Sequence, residues 1–220
     1  MTSQKYSKLC FVLLLSVFAF ACNSSSPTST DSPSAPATSS PAVKTASSPP
    51  PLAAGEEIAV LETDYGKIKL RLYSDVAPKH VENFKKLINE KFYDGTGFHR
   101  ASPGFLIQGG DPNTRGNDKS RWGMGAPGQP TVPAEFNTRP YVRGTVGAAR
   151  TSDPNSATSQ FFICLKDYPA WNGQYTVFGE VIEGINVAEI ISNAPTDEGT
   201  ETLRDKATIK RAYLEKYTPK

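Results

Sequence analysis

The sequence predicts a mainly β domain, a closed barrel carrying two helices, preceded by a segment that belongs to no core. Three observations point there. Residues 56–220 hold many short apolar runs punctuated by Gly and Pro, only two stretches have helical periodicity, and no internal repeat is present. Short strands with few helices favour a sheet closed on itself over a βαβ architecture. A chain of 220 residues has room for one such domain.

The elements follow in order. Residues 58–63 and 68–73 read as two strands, joined by the Gly-containing turn Asp64-Tyr65-Gly66-Lys67. In the second strand Ile68, Leu70 and Leu72 share one face and Lys69 and Arg71 the other, the alternation of a half-buried sheet. Pro78 opens a helix where its missing N–H costs little. Val81, Phe84, Leu87 and Ile88 form the apolar stripe of that helix, with Glu82, Lys85 and Lys86 outward. Strands are expected at 97–100, 105–108, 144–149, 160–165 and 176–181, a second helix at 185–192 and a last strand near 207–214. The Gly/Pro-rich stretch 109–140 reads as ordered but irregular loop.

The first 55 residues have a different character. Lys5 and Lys8 precede the apolar run 9–21, which fits a secretory h-region and is short of the roughly 20 residues a membrane-spanning helix needs. The run ends in Ala19-Phe20-Ala21-Cys22, which resembles the lipobox of bacterial lipoproteins, with Phe20 where a small or branched residue is commoner. Residues 1–21 are therefore read as a signal peptide, Cys22 as the lipidated residue and 22–55 as a tether rich in Ser, Thr, Pro and Ala. Plain secretion with an unmodified Cys22 is the alternative. Such a segment has too little apolar surface to offset the entropy of ordering it, and proline stiffens it. The expected location is extracytoplasmic, on a bacterial membrane through the N-terminal lipid anchor.

Charge and cysteines narrow the chemistry. The net charge is +2, but Lys5, Lys8 and Lys44 against Asp31 account for it, leaving 21 basic and 21 acidic residues in 56–220. A neutral domain lacks the electrostatic footprint of a nucleic-acid binder. Cys10 and Cys22 lie in the N-terminal segment, so Cys164 has no disulfide partner in the domain; its apolar run marks it as buried and inert. Two histidines, His80 and His99, are too few for a zinc site. No metal, no cofactor and a monomer are expected.

Three strings carry the functional reading: FHR-x-x-PGF-x-x-QGGD over 98–111, Gly147-Ala148-Ala149-Arg150 followed by SQFFI at 159–163, and Gly173-Gln174-Tyr175-Thr176-Val177-Phe178-Gly179. With Val81-Glu82-Asn83-Phe84, their order and spacing from about 58 to 213 resemble the cyclophilin-type peptidyl-prolyl cis-trans isomerases, in a bacterial lipoprotein-like form. The resemblance implies a closed eight-stranded antiparallel β-barrel capped by two α-helices over 56–220. It makes Arg100 the catalytic arginine, assisted by Gln108 and Phe105. Phe105, Leu106 and Phe162 match the walls of the proline pocket. Gln108 and Gln160 match glutamines that position the arginine and contact substrate, and Ala149 matches the backbone that hydrogen-bonds the peptide. Trp171 and Tyr175 fall on the far rim. Arg150 adds a second positive charge near the groove, and His99 is read as structural or substrate-orienting. Ala170 stands where eukaryotic members often have a tryptophan that contacts cyclosporin, which implies weak binding of that inhibitor; an alignment shifted by one residue would put Trp171 in that place and restore sensitivity.

The residue types suit the implied reaction. Rotation about an X–Pro bond breaks no covalent bond to substrate, so neither nucleophile nor general base is required. The barrier, about 18–20 kcal/mol, reflects amide resonance. As resonance is lost, the proline nitrogen gains lone-pair character, and a fixed guanidinium donor binds that twisted form best. The partners implied are proline-containing segments of client proteins. A non-catalytic proline-binding module on the same tether is the rival reading. Alternation places Phe161 and Phe162 on opposite faces, one in the core and one in the pocket. Gly109-Gly110 lacks the Gly-Lys-Ser/Thr of a phosphate loop.

Overall fold

A computed structural model describes residues 50–219; the segment read as signal peptide, Cys22 and most of the segment read as tether lie outside the described residues. Eight strands form the domain: β1 Glu57–Thr63, β2 Gly66–Leu72, β3 Gly97–Ser102, β4 Leu106–Asp111, β5 Thr145–Ala148, β6 Phe161–Cys164, β7 Val177–Glu183 and β8 Thr202–Lys216. They close into one barrel in the order β1-β2-β7-β5-β6-β4-β3-β8, every pairing antiparallel. Closure leaves no unpaired edge. Two helices, α1 Pro78–Asn89 and α2 Ile185–Ser192, pack on it, α1 against β7 and β8 and α2 against β2, β3 and β4.

The interior is built by strand alternation. Ile68 and Leu70 of β2, Phe98 of β3, Ile107 of β4, Phe161 and Ile163 of β6 and Phe178 of β7 meet Phe84 of α1 and Tyr93 in one buried cluster. Phe161 is its hub, with edge-on contacts to Phe84, Tyr93 and Phe98 at 5.4, 5.8 and 5.8 Å. The Gly109-Gly110 pair has a packing cause. A Cβ on Gly109 would meet Phe98 at 2.9 Å, and one on Gly110 (φ +85°) would meet the Ser159 carbonyl at 2.5 Å.

Helix α1 starts on Pro78, as the sequence predicts, but Ala77 gives it no side-chain cap. Glu135, from the long loop, supplies one: its carboxylate accepts from the Lys79 and His80 amides at 3.2 and 3.0 Å and lies 2.7 Å from His80 Nδ1. A buried carboxylate at a helix N-terminus satisfies donors that would otherwise be orphaned and complements the helix dipole.

Three local features differ from the sequence expectation. β8 begins at Thr202, well before residue 207, because Thr202 still pairs with Arg100 of β3 across an irregularity in the register. Arg71, expected outward, is only 7% exposed: Glu56 accepts from its Nε and Nη2 at 2.9 and 3.2 Å, and the Pro50 carbonyl accepts from Nη1 at 2.6 Å. The chain just ahead of β1 thus covers that face of the sheet. The loop after β4 contains two 3-10 turns, Pro112–Arg115 and Lys119–Arg121.

Between Phe98 and Arg100, β3 also carries one residue more than β4. Phe98 pairs with Gly109 but Arg100 pairs with Gln108, so His99 is the extra residue of a β-bulge. Strict alternation would turn Phe98 and Arg100 to the same side. The bulge leaves Phe98 and Ala101 in the core and turns Arg100 out with Gln108. His99 is 5% exposed, its Nδ1 has no hydrogen-bond partner among the described residues, and burial pushes its pKa down to about 4.

Two stability measurements follow. Glu135→Ala should lower unfolding free energy by about 2 kcal/mol, read by urea denaturation, because it strips the cap from α1. His99 is neutral in the fold and takes up a proton near pH 6.5 when unfolded, so stability falls as pH drops from 6.5 toward 4 and does not fall further from this cause below that. Between pH 7.5 and 4.5 the wild type should lose about 2 kcal/mol more than His99→Gln. Equal losses in the two proteins would refute the buried neutral histidine.

Candidate active site

Register places the site on the outer face of β3, β4 and β6. Arg100 lies opposite Gln108, and Gln108 lies opposite Phe162. Residues on one face recur every second position, so Leu106 joins Gln108, and Cys164 joins Phe162. One slip of register would turn the whole set inward.

A chain of amide hydrogen bonds runs across these strands. Arg100 Nη1 donates to Gln108 Oε1 at 3.1 Å, Gln108 Nε2 donates to Gln160 Oε1 at 3.1 Å, and Gln160 Nε2 donates to the Gly123 carbonyl at 3.0 Å. The far end is itself fixed. Asp111, fully buried, accepts from the Gly123 and Gly125 amides at 2.5 and 3.2 Å. The other edge of the guanidinium faces Glu201, whose Oε2 is 2.7 Å from both Nε and Nη2 of Arg100. A guanidinium has five N–H donors. Nε and Nη1 each use one in a hydrogen bond and Nη2 meets Glu201 as a close ion pair, leaving one N–H on each terminal nitrogen.

Beside this polar row lies an aromatic floor. Phe162 is 4% exposed and touches Tyr141, Trp171 and Tyr175, with ring centroids 5.8, 5.3 and 5.7 Å away. Phe105 packs on Trp171 at 5.2 Å and Tyr168 at 5.0 Å, while Trp171 reaches Tyr175 at 5.3 Å. Gly147 makes room for Phe162: a Cβ there would stand 2.4 Å from Phe162 Cζ and 2.7 Å from the Tyr141 hydroxyl. Phe161 and Phe162 divide between core and floor, as their alternation requires.

The remaining predicted residues take distinct places. Leu106 is 1% exposed, so it presents almost no wall to solvent. The Ala149 amide donates to the Gln160 carbonyl at 3.0 Å, tying the segment after β5 to the start of β6. Arg150 is not a loose charge. Its Nη1 donates to the Thr151 carbonyl and its Nη2 to the Gln174 carbonyl, at 2.8 and 2.7 Å, and its Cζ sits 4.5 Å from the Tyr175 ring centroid. It staples the 150–152 segment to Tyr175. A cleft lined by Gln108, Gly123, Met124, Ala149, Arg150 and Gln160 continues the groove away from the aromatic floor. Cys164 is fully buried, and burial pushes its thiol up to about 12, which keeps it unreactive. His99 lies behind Arg100 in the bulge, with its Nε2 next to Gly123.

Sequence reading missed Glu201, Tyr141 and Tyr168. Glu201 lies in a polar turn with no motif around it, and Tyr141 stands between the stretch read as irregular loop and the strand expected at 144–149. Only tertiary packing brings them to the site.

Comparison with known proteins agrees with this geometry. The family described as "Cyclophilin type peptidyl-prolyl cis-trans isomerase/CLD" matches residues 58–214. A protein of Brucella suis biovar 1 named a probable peptidyl-prolyl cis-trans isomerase is 45% identical over 159 residues, covering 70% of this chain and 81% of the relative. A peptidyl-prolyl cis-trans isomerase of Acinetobacter baylyi is 39% identical over 149 residues, covering 66% and 76%. The crystal structure of a Cryptosporidium parvum cyclophilin-type peptidyl-prolyl cis-trans isomerase, determined in the presence of the dipeptide Ala-Pro, superposes with a TM-score of 0.65 at 31% identity. It covers 73% of this chain and 99% of its own. An eight-stranded closed barrel with two helices, an outward arginine on a glutamine row and this span of similarity have one common reading: the chain belongs to the cyclophilin-type peptidyl-prolyl cis-trans isomerase family.

Proposed function

We propose that the chain accelerates cis-trans rotation about X–Pro bonds in secreted or envelope proteins, with Arg100 as the transition-state donor and the Phe105–Phe162–Trp171 floor as the grip on the proline ring. The observation that carries this is the partial engagement of Arg100. Gln108 and Glu201 occupy part of its donor set and leave one N–H on each terminal nitrogen beside the aromatic floor.

The floor holds the ring by apolar contact, which is the same for both planar isomers. Only the carbonyl side of the X–Pro bond needs to swing. As it turns, the proline nitrogen becomes pyramidal and basic, and the Arg100 N–H groups gain a partner that neither ground state offers. Stabilisation confined to the twisted form raises kcat, whereas contacts shared by all forms do not. Uncatalysed exchange takes roughly 10–100 s; an acceleration of five powers of ten asks for about 7 kcal/mol of such preference. No proton transfer is required, so the low pKa of His99 is no obstacle: a neutral His99 behind Arg100 adds no competing charge.

The location is part of the proposal. The run 9–21 ending at Ala21-Cys22, and the Pro/Ser/Thr-rich stretch after it, support export, lipidation of Cys22 and a tether that lets the domain act away from the bilayer. A monomer suffices, because one barrel holds every residue of the site.

On a proline-containing test peptide, Arg100→Ala should lower kcat/KM at least tenfold in a protein whose thermal melt is unchanged. A folded wild-type domain no faster than the uncatalysed reaction would leave the non-catalytic proline-binding module as the function. In a bacterial host, the wild-type chain should fractionate with membranes and Cys22→Ala should appear in the soluble extracytoplasmic fraction; identical fractionation would remove the lipid anchor from the proposal.

A further inference from the structure

We infer that Glu201 is a positioning residue for Arg100, setting the plane of the guanidinium from the edge that Gln108 does not reach. This rests on the role proposed for Arg100. A single hydrogen bond from Nη1 to Gln108 leaves a long side chain free to turn about that contact. Two further contacts from Nε and Nη2 to one Glu201 oxygen, both 2.7 Å, fix the plane as well as the point. Arginine's planar fork is suited to this kind of two-edge constraint.

Glu201 is itself held from several sides. Its carbonyl accepts from the Ala101 amide at 2.8 Å, and the next residue, Thr202, is the strand partner of Arg100. Its carboxylate also interacts with the Ser102 hydroxyl, and Ser102 and Arg100 together hold its carboxyl below the usual carboxylate range. The turn that presents it is closed by the Asp197 amide on the Thr202 carbonyl at 2.9 Å and the Thr202 amide on Thr200 Oγ1 at 3.1 Å. Lys119 ties that turn to the loop after β4 through Asp197 at 2.9 Å. The carboxylate is therefore placed by backbone, not by a mobile surface arm.

A paired carboxylate also opposes the positive charge that Arg100 offers to substrate. Which effect dominates follows from exposure. The two side chains are 41% and 43% exposed, so water screens the opposing charge, whereas the orientation imposed by two hydrogen bonds and the close Nη2–carboxylate contact is not screened. Net assistance follows.

The test is a double-mutant cycle on the tethered or soluble domain, with an Ala-Pro test peptide and separate kcat and KM. Glu201→Ala should lower kcat about fivefold with KM changed less than twofold, and Glu201→Gln, which keeps an acceptor oxygen of the same reach, should recover most of that loss. In an Arg100→Ala background, Glu201→Ala should change kcat less than twofold, because a residue that acts through Arg100 has nothing left to position. The inference is overturned if Glu201→Ala leaves kcat within twofold of wild type or raises it. It is equally overturned if the same fivefold loss persists without Arg100, which marks a structural role. Failure of the parent reading looks different: Arg100→Ala itself would then retain wild-type kcat.

Discussion

The site depends on one extra residue in β3. Because His99 is bulged out of register with β4, the inward residue Phe98 is followed by an outward Arg100, and the core contact with Phe161 and the polar row at Arg100 coexist two residues apart on one strand. Without the bulge, a strand that buried Phe98 would bury Arg100 as well, and an unpaired guanidinium in an apolar interior is prohibitively costly. The polar row follows from that turn outward: Arg100 meets Gln108 across the ladder and Glu201 at its other edge, and the row runs on from Gln108 to Gln160 and the Gly123 carbonyl.

The barrel serves this row by being stiff. Its two faces carry different work, the inner face an aromatic core centred on Phe161 and the outer face a second aromatic cluster around Phe162. Neighbouring residues on one short strand therefore bind core to pocket. Glycines at 109, 110 and 147 are where side chains would collide with Phe98, the Ser159 carbonyl and Phe162, so the close approach of strands is written into residues without a Cβ. The loop after β4, although irregular, is pinned by the buried Asp111 carboxylate and offers a fixed acceptor to the glutamine row.

Much of this was legible in the sequence. The helices were, because Pro78 and the Val81-Phe84-Leu87-Ile88 stripe are local signals, and α2 falls on 185–192 as predicted. The split of Phe161 from Phe162 was legible from strand period alone. The motif strings marked Arg100, Gln108, Gln160 and the aromatic rim. What was not legible depends on contacts between distant segments. The bulge at His99 has no local sequence mark, and Arg71 reads as outward until the chain at Pro50 and Glu56 is seen covering it. Glu201 is one acid among many until the β3–β8 pairing sets it beside Arg100. Arg150, which reads as an exposed charge, is tied down by carbonyls and the Tyr175 ring.

The central claim is a division of labour, with the aromatic floor gripping proline and Arg100 stabilising only the twisted amide. NMR line-shape analysis of an Ala-Pro peptide bound to wild type, Arg100→Ala and Phe162→Ala separates the dissociation constant from the rate of isomerisation on the protein. Expected is a bound-state isomerisation rate at least tenfold slower in Arg100→Ala with a dissociation constant within about threefold of wild type, and the reverse emphasis, weakened binding, in Phe162→Ala. Tenfold weaker binding in Arg100→Ala with an unchanged bound-state rate would contradict it, and would make the arginine a ground-state anchor.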